Sequence, residues 1–207
     1  MTVLAVDPAK PEPDAIALAA AALAAGQLAV IPTDSVYGVA ADPSLPRAVD
    51  RLFAAKGRPR SLAIPVLVAS LSHVKRLVEV DARAERAMGA FWPGPLTLVL
   101  RRKPGAGWDL GGAGDTLAVR MPDHAVALEL LTQAGPLAVT SANRSGEPTP
   151  RTCAGVQEQL GDAVSVYLDA GPSAGEVPST VVDLSGREIA VLREGAILAA
   201  EVLDALV

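Results

Sequence analysis

The sequence predicts an α/β fold on a mixed parallel and antiparallel sheet. Short aliphatic runs bounded by Gly and Pro read as buried strands, and Ala-rich stretches between them read as helices packed on those strands. Towards the C-terminus three strand-like runs follow one another with no room for intervening helices, which implies antiparallel pairing. Half of the 207 residues are hydrophobic and only 3% are aromatic, so the core must be built from Ala, Val and Leu.

Taken in order, residues 14–25 read as a helix, with Asp14 placed to cap it and Gly26 to stop it. A strand over 28–31 follows, so the polar segment that begins at Pro32 lies at its C-terminal end, where open α/β sheets bind ligands. A helix over 46–55 delivers Lys56 and Arg58 just past its end, and 64–68 is the next strand. Residues 81–91 read as helix, and Trp92-Pro93-Gly94-Pro95 introduces a strand over 96–100. The stretch 104–115 carries five glycines and reads as a mobile loop without phosphate-binding spacing. A strand over 117–121 contains Arg120, a helix covers 123–133, and a strand over 137–140 runs into a second polar segment around Ser141, Asn143 and Ser145. After a helix near 152–160 come strands over 165–168, 180–184 and 189–193, then a closing helix over 201–206. No repeat or linker interrupts this pattern, so one domain over 1–207 is predicted.

Composition removes several function classes. No apolar run reaches the roughly 18 residues needed to span a bilayer, and the first residues lack the basic-then-apolar order of a secretion signal, so a cytoplasmic protein without a membrane partner is predicted. The lone Cys153 excludes an internal disulfide, and with only His73 and His124 beside it no metal cage is predicted; all three read as packing or surface residues. A net charge of −5 argues against coating nucleic acid through bulk positive charge, while leaving room for a local basic cleft. Fourteen of the eighteen cationic residues are Arg, several of them in the polar segments, where a guanidinium suits bidentate recognition of phosphate or carboxylate.

Four polar segments carry the chemistry: PTDSVYG at 32–38, KGRP at 56–59, TSANRSG at 140–146 and LREG at 192–195. Together they supply cations, hydroxyls and a carboxamide, the inventory for holding a nucleoside triphosphate and a small polar co-substrate. Familiar alternatives fail. There is no Walker A spacing and no dinucleotide fingerprint. Gly171-Pro172-Ser173-Ala174-Gly175 matches a nucleophile elbow, but Pro178 stands where a helix should begin and both histidines precede Ser173, so it reads as a turn. By spacing alone, Lys56 and Arg58 fit a solvated helix end as well as a phosphate site, and the serines fit ordinary turns and caps.

With AVRMPDH at 118–124 and STVVD at 179–183 added, these segments in this order resemble the threonylcarbamoyl-AMP synthases of the YrdC-like family, over nearly the whole chain. The resemblance implies a sheet around a concave cationic cavity. It also implies an enzyme, a nucleotidyltransferase that makes threonylcarbamoyl-AMP and pyrophosphate from L-threonine, bicarbonate and ATP, with Mg²⁺ on the triphosphate. A partner threonylcarbamoyl-transferase complex then modifies tRNA. Longer members carry a C-terminal domain that this chain is too short to include.

Carried over residue by residue, the resemblance places Lys56 and Arg58 at the catalytic triphosphate site and Arg193 beside them. Arg120 grips the threonine carboxylate, with Ser35, Ser141, Ser179 and Thr33 around the amino acid, and Tyr37 shapes the pocket floor. Leu62, Thr116, Asn143 and Arg151 take further ATP positions. The sequence departs from the family's usual residues at Ser35, Leu62, Ala63, Arg151 and Glu194; Leu62 in particular can offer ATP only apolar or backbone contact. Two other readings compete. One is a carbamoyl-adenylating unit of hydrogenase maturation, disfavoured by the short chain with its single Cys. The other is a non-catalytic tRNA or double-stranded RNA binder, disfavoured by net acidity and scarce aromatics.

Overall fold

The computed structural model describes residues 1–112 and 114–206. Ten strands form one sheet: β1 (Thr2–Ala5), β2 (Ala29–Ile31), β3 (Gly38–Ala41), β4 (Val66–Leu67), β5 (Leu96–Arg101), β6 (Thr116–Arg120), β7 (Leu137–Ser141), β8 (Val166–Asp169), β9 (Thr180–Asp183) and β10 (Ala190–Arg193). Their order across the sheet is β1-β8-β2-β3-β7-β4-β6-β5-β9-β10. The β1–β8, β8–β2, β4–β6 and β5–β9 pairs are parallel and the rest antiparallel, so the sheet is mixed.

Seven α-helices flank it: α1 (Pro13–Ala24), α2 (Pro46–Lys56), α3 (Leu71–Leu77), α4 (Ala82–Phe91), α5 (Ala125–Ala134), α6 (Cys153–Leu160) and α7 (Ala199–Ala205). Pro13 and Pro46 open α1 and α2, where a missing N–H costs nothing. Gly57, at φ 59°, closes α2 in the left-handed conformation and turns the chain directly after Lys56.

Strand periodicity decides which face is filled. Val30, Val39, Val66, Leu98 and Val119 point into one apolar layer with α2, α3, α4, α6 and α7. Their neighbours Ala29, Ile31, Ala40 and Leu137 point into a second layer with α1 and α5. That second layer covers only part of its face. Over β7, β4, β6, β5 and β9 the same face, carrying Val139, Leu67, Ala118, Thr97, Val99 and Val181, lines an open hollow instead.

Several expectations need correction. The strands β1 and β3 and the helix α3 escape the sequence reading. The stretch β3 is Gly38-Val39-Ala40-Ala41, with no β-branched run beyond Val39, and its place between β2 and β7 holds it extended. Asp14 lies in the first turn of α1, whose N-cap is Glu12. The strand expected over 64–68 contracts to β4, because the Ile64 and Val68 amides donate to Leu110 and Arg120 carbonyls at its ends. Most consequentially, β8 does not pair with β9 and β10. It joins β1 and β2 in parallel, and the chain then crosses to the opposite half of the sheet, where β9 and β10 do pair antiparallel.

Of the glycine-rich stretch, residue 113 lies outside the described residues. The Gly112 amide donates to the Arg60 carbonyl at 2.9 Å, which ties this stretch to the segment carrying Arg58. No helix among the described residues is long and apolar enough to cross a membrane.

Candidate active site

The hollow has a volume of about 360 Å³, at the low end for small-molecule sites. Its floor is the uncovered sheet face, and its walls are the loops after β2, α2, β7 and the segment before β9. The charged side chains in its lining are Arg58, Arg120 and Arg193, which lie far apart in sequence. Burial, reinforced by the positive field of Arg193, pulls the Arg58 guanidinium below its usual pKa. Burial does the same to Arg120, opposed by Asp34, and to Arg193. All three remain cations at neutral pH, since arginine starts so high.

Each guanidinium is anchored by part of its fork. Arg58 donates through Nε to the Leu62 carbonyl and through Nη2 to the Ala63 carbonyl, both at 3.0 Å. Arg193 donates to the Ser179 carbonyl through Nε at 3.1 Å and Nη2 at 2.6 Å. Arg120 is 6% exposed and donates to the Gly94 carbonyl, Ser35 Oγ and Asp34 Oδ1 at 3.0, 3.0 and 2.6 Å.

Hydroxyls complete the lining. Thr33 Oγ1 donates to the Val36 carbonyl at 2.6 Å and accepts from the Ser35 amide, folding the 33–36 turn so that Ser35 faces the hollow. Ser179 Oγ lies 2.9 Å from Thr97 Oγ1 and Ser141 Oγ donates to Asn143 Oδ1 at 2.5 Å. Tyr37 donates to the Gly171 carbonyl at 2.6 Å, and burial raises its hydroxyl far above an ordinary phenol. It is a structural donor at any working pH.

Lys56 is placed differently from the sequence expectation. It is 2% exposed and absent from the lining. Its ammonium donates to the Ser141 carbonyl at 2.5 Å, the Asn143 carbonyl at 2.6 Å and Asn143 Oδ1 at 3.1 Å. Three N–H groups therefore meet three acceptors, and the lysine holds the wall that presents Ser141. Burial, with Arg58 adding repulsion, lowers its pKa to about 8, so it is still mainly protonated at neutral pH. Asn143 is likewise turned inward, its amide nitrogen donating to the Arg144 and Glu147 carbonyls.

Three other expected nucleotide contacts stand outside the lining. Leu62 is 49% exposed, with its carbonyl taken by Arg58. Thr116 begins β6, two residues before Ala118 and on the same side of the strand, beyond the end of the lining. Arg151 is exposed and paired with Glu176. The sequence reading missed Asp34, although it stands inside the first polar segment, and Thr97. The latter had a signal: a hydroxyl in the middle of the apolar run Leu96-Thr97-Leu98.

The comparisons with known proteins agree with this geometry. Residues 21–195 match the Sua5/YciO/YrdC family, described as telomere recombination. A Mycobacterium tuberculosis relative is 47% identical over 192 residues, 92% of this chain and 88% of its own length. The threonylcarbamoyl-AMP synthase of Klebsiella pneumoniae is 36% identical over 175 residues, covering 82% of this chain and 91% of its own. The crystal structure of Pyrococcus abyssi Sua5 complexed with L-threonine superposes with a TM-score of 0.94 at 35% identity, covering 99% of this chain and 61% of that one. Shared sequence over most of the length and a shared fold lead to one conclusion: the chain belongs to the Sua5/YciO/YrdC family.

Proposed function

We propose that this chain is an L-threonylcarbamoyladenylate synthase. The observation that carries the reading is the convergence of Arg58, Arg120 and Arg193 with the hydroxyls of Ser35, Ser141 and Ser179 on one hollow, in a chain similar to an L-threonine-bound relative. Bicarbonate takes up a proton and loses water to give CO2, and the free amine of threonine attacks that CO2 to give a carbamate with loss of one proton. A carbamate oxygen then attacks the α-phosphorus of ATP, and the bond to the β-phosphate oxygen breaks to release pyrophosphate. Both reactants are anions, so the first task of the site is to cancel their repulsion.

Arg120 takes the threonine carboxylate on its free fork, and Ser35, Ser141, Ser179 and Thr33 orient the amino acid. Arg58 and Arg193 take the triphosphate. Lys56 and Asn143 build the wall behind Ser141, and Lys56 adds positive field. The hollow suits the carbamate and the triphosphate, and the nucleoside then extends over the rim towards Leu62, Thr116 and Arg151. The lining has no carboxylate, so the residues present do not form a protein-held magnesium site, and any Mg²⁺ enters on the triphosphate. The product is a reactive mixed anhydride, which an acceptor-side transferase acting on tRNA consumes.

The test is chromatographic detection of an adenylate, with pyrophosphate, whose formation requires ATP, bicarbonate and L-threonine together. Pyrophosphate release that ignores threonine would overturn the assignment.

A further inference from the structure

Asp34 is a buried carboxylate to which the chemistry above gives no part, and it does not line the hollow. Its Oδ1 accepts from Arg120 Nη2 at 2.6 Å and from the Asp123 amide at 3.1 Å, and the two side chains of the ion pair are 12% and 7% exposed. Its Oδ2 is buried without a hydrogen-bond partner among the described residues. A buried carboxylate with one unpartnered oxygen is a costly way to stabilise a fold.

From this geometry we infer that Asp34 is a positioning residue that sets the orientation of the Arg120 fork towards the hollow. The inference rests on Arg120 being the holder of the threonine carboxylate. A guanidinium has five N–H groups. Three are committed, to the Gly94 carbonyl, Ser35 Oγ and Asp34 Oδ1. One N–H on each terminal nitrogen is left, which is the bidentate pair a planar carboxylate requires. Gly94 and Asp34, the latter pinned by the Asp123 amide, fix the Nε–Nη2 edge of the guanidinium, and Ser35 fixes Nη1 on the other side.

A turn distant in sequence, following the neighbouring strand β8, sets Asp34 itself. The Gly175 amide donates to the Ser35 carbonyl at 2.9 Å. A Cβ at 175 would stand 2.6 Å from the Ser35 carbonyl oxygen and 3.1 Å from that of Asp34, so only glycine lets the turn press this close. The 171–175 segment, a chance nucleophile-elbow match in sequence, is the backing plate of the carboxylate grip.

The test is steady-state pyrophosphate release with threonine and ATP varied separately. Asp34→Ala should raise the threonine KM on the order of tenfold while the ATP KM stays within about twofold. Asp34→Asn, which keeps an acceptor oxygen for Arg120, should recover most of that loss. Should Asp34→Ala fail to fold, Gly175→Ala provides the second arm: it keeps the carboxylate but displaces its backbone, and should raise the threonine KM selectively. An unchanged threonine KM in these variants, or equal rises for both substrates, overturns the positioning role. An unchanged threonine KM in Arg120→Ala instead overturns the reading of Arg120 on which it rests.

Discussion

Replacing Lys56 with Met separates wall-building from simple surface charge. The substitution keeps an unbranched chain but removes three donors. Asn143 Oδ1 still accepts from Ser141 Oγ and Thr149 Oγ1, and the Ser141 carbonyl still accepts from the Asn143 amide at 3.0 Å, so the group orphaned is the Asn143 carbonyl. At about 1–3 kcal/mol for a buried unsatisfied acceptor, the loss is about 1–3 kcal/mol. Against it stands the relief of a desolvated ammonium. Lys56 sits at about 8 instead of 10.5, and at about 1.4 kcal/mol per pKa unit that relief is on the order of 3 kcal/mol. The two nearly cancel, and the net change lies between about zero and a stabilisation of about 2 kcal/mol.

With a urea m-value of about 2 kcal/mol/M, the unfolding midpoint followed by circular dichroism should hold or rise by up to about 1 M. Adenylate formation should be lost at urea-free conditions where the variant is still folded, because Ser141 is no longer held against the hollow. A markedly lower midpoint would refute the energy balance, and wild-type turnover would refute the role: it would mean that the ammonium neither holds the wall in place nor serves the reaction.

The same lysine makes a pH prediction. Its folded pKa, about 8, lies below the unfolded 10.5, so between those values the unfolded chain binds more protons. The stability of wild type relative to Lys56→Met should therefore rise from pH 8 to pH 10, while turnover declines as a wall donor is lost; urea midpoints and rates at both pH values check this. Arg58→Ala should abolish threonine-dependent pyrophosphate release with the fold intact by circular dichroism, since the side chain lines the hollow and its internal partners are carbonyls of an exposed loop. Thr180→Val should cost about 3 kcal/mol in urea unfolding, with Thr180→Ser near wild type. Thr180 is fully buried, and its Oγ1 donates to the Ile197 carbonyl at 2.5 Å and accepts from the Gly195 and Ile197 amides at 2.9 and 3.1 Å.

Most of the regular elements were legible before any coordinates, because their causes are local. Pro46 and Gly57 bracket α2 wherever it docks, and Leu-Thr-Leu-Val-Leu from residue 96 favours a strand in isolation. The missed elements are those that neighbours impose. The Gly38–Ala41 run is extended because β2 and β7 clamp it, and α3 is a short helix whose apolar positions, Val74 and Leu77, are too few to show a period. Strand order was beyond local reading for the same reason: nothing within 165–168 says that its partners lie at the N-terminal end of the chain.

For the candidate site, composition and spacing singled out the polar segments, and the resemblance to the YrdC-like family singled out Ser35, Arg58, Arg120, Ser141, Ser179 and Arg193, whose spacing alone also fits helix ends, turns and caps. Which of them face the hollow was decided by the fold alone. Lys56 and Arg58 are two residues apart, yet the left-handed turn at Gly57 sends one into the Ser141–Asn143 wall and the other into the lining. Asp34 and Ser35 are adjacent, yet alternation points the hydroxyl at the hollow and leaves the carboxylate behind Arg120. A sequence records which chemical groups are present and the local preferences of their backbone; the direction in which each group points follows from contacts between distant segments, and those contacts exist only once the sheet has closed around its two unequal helical layers.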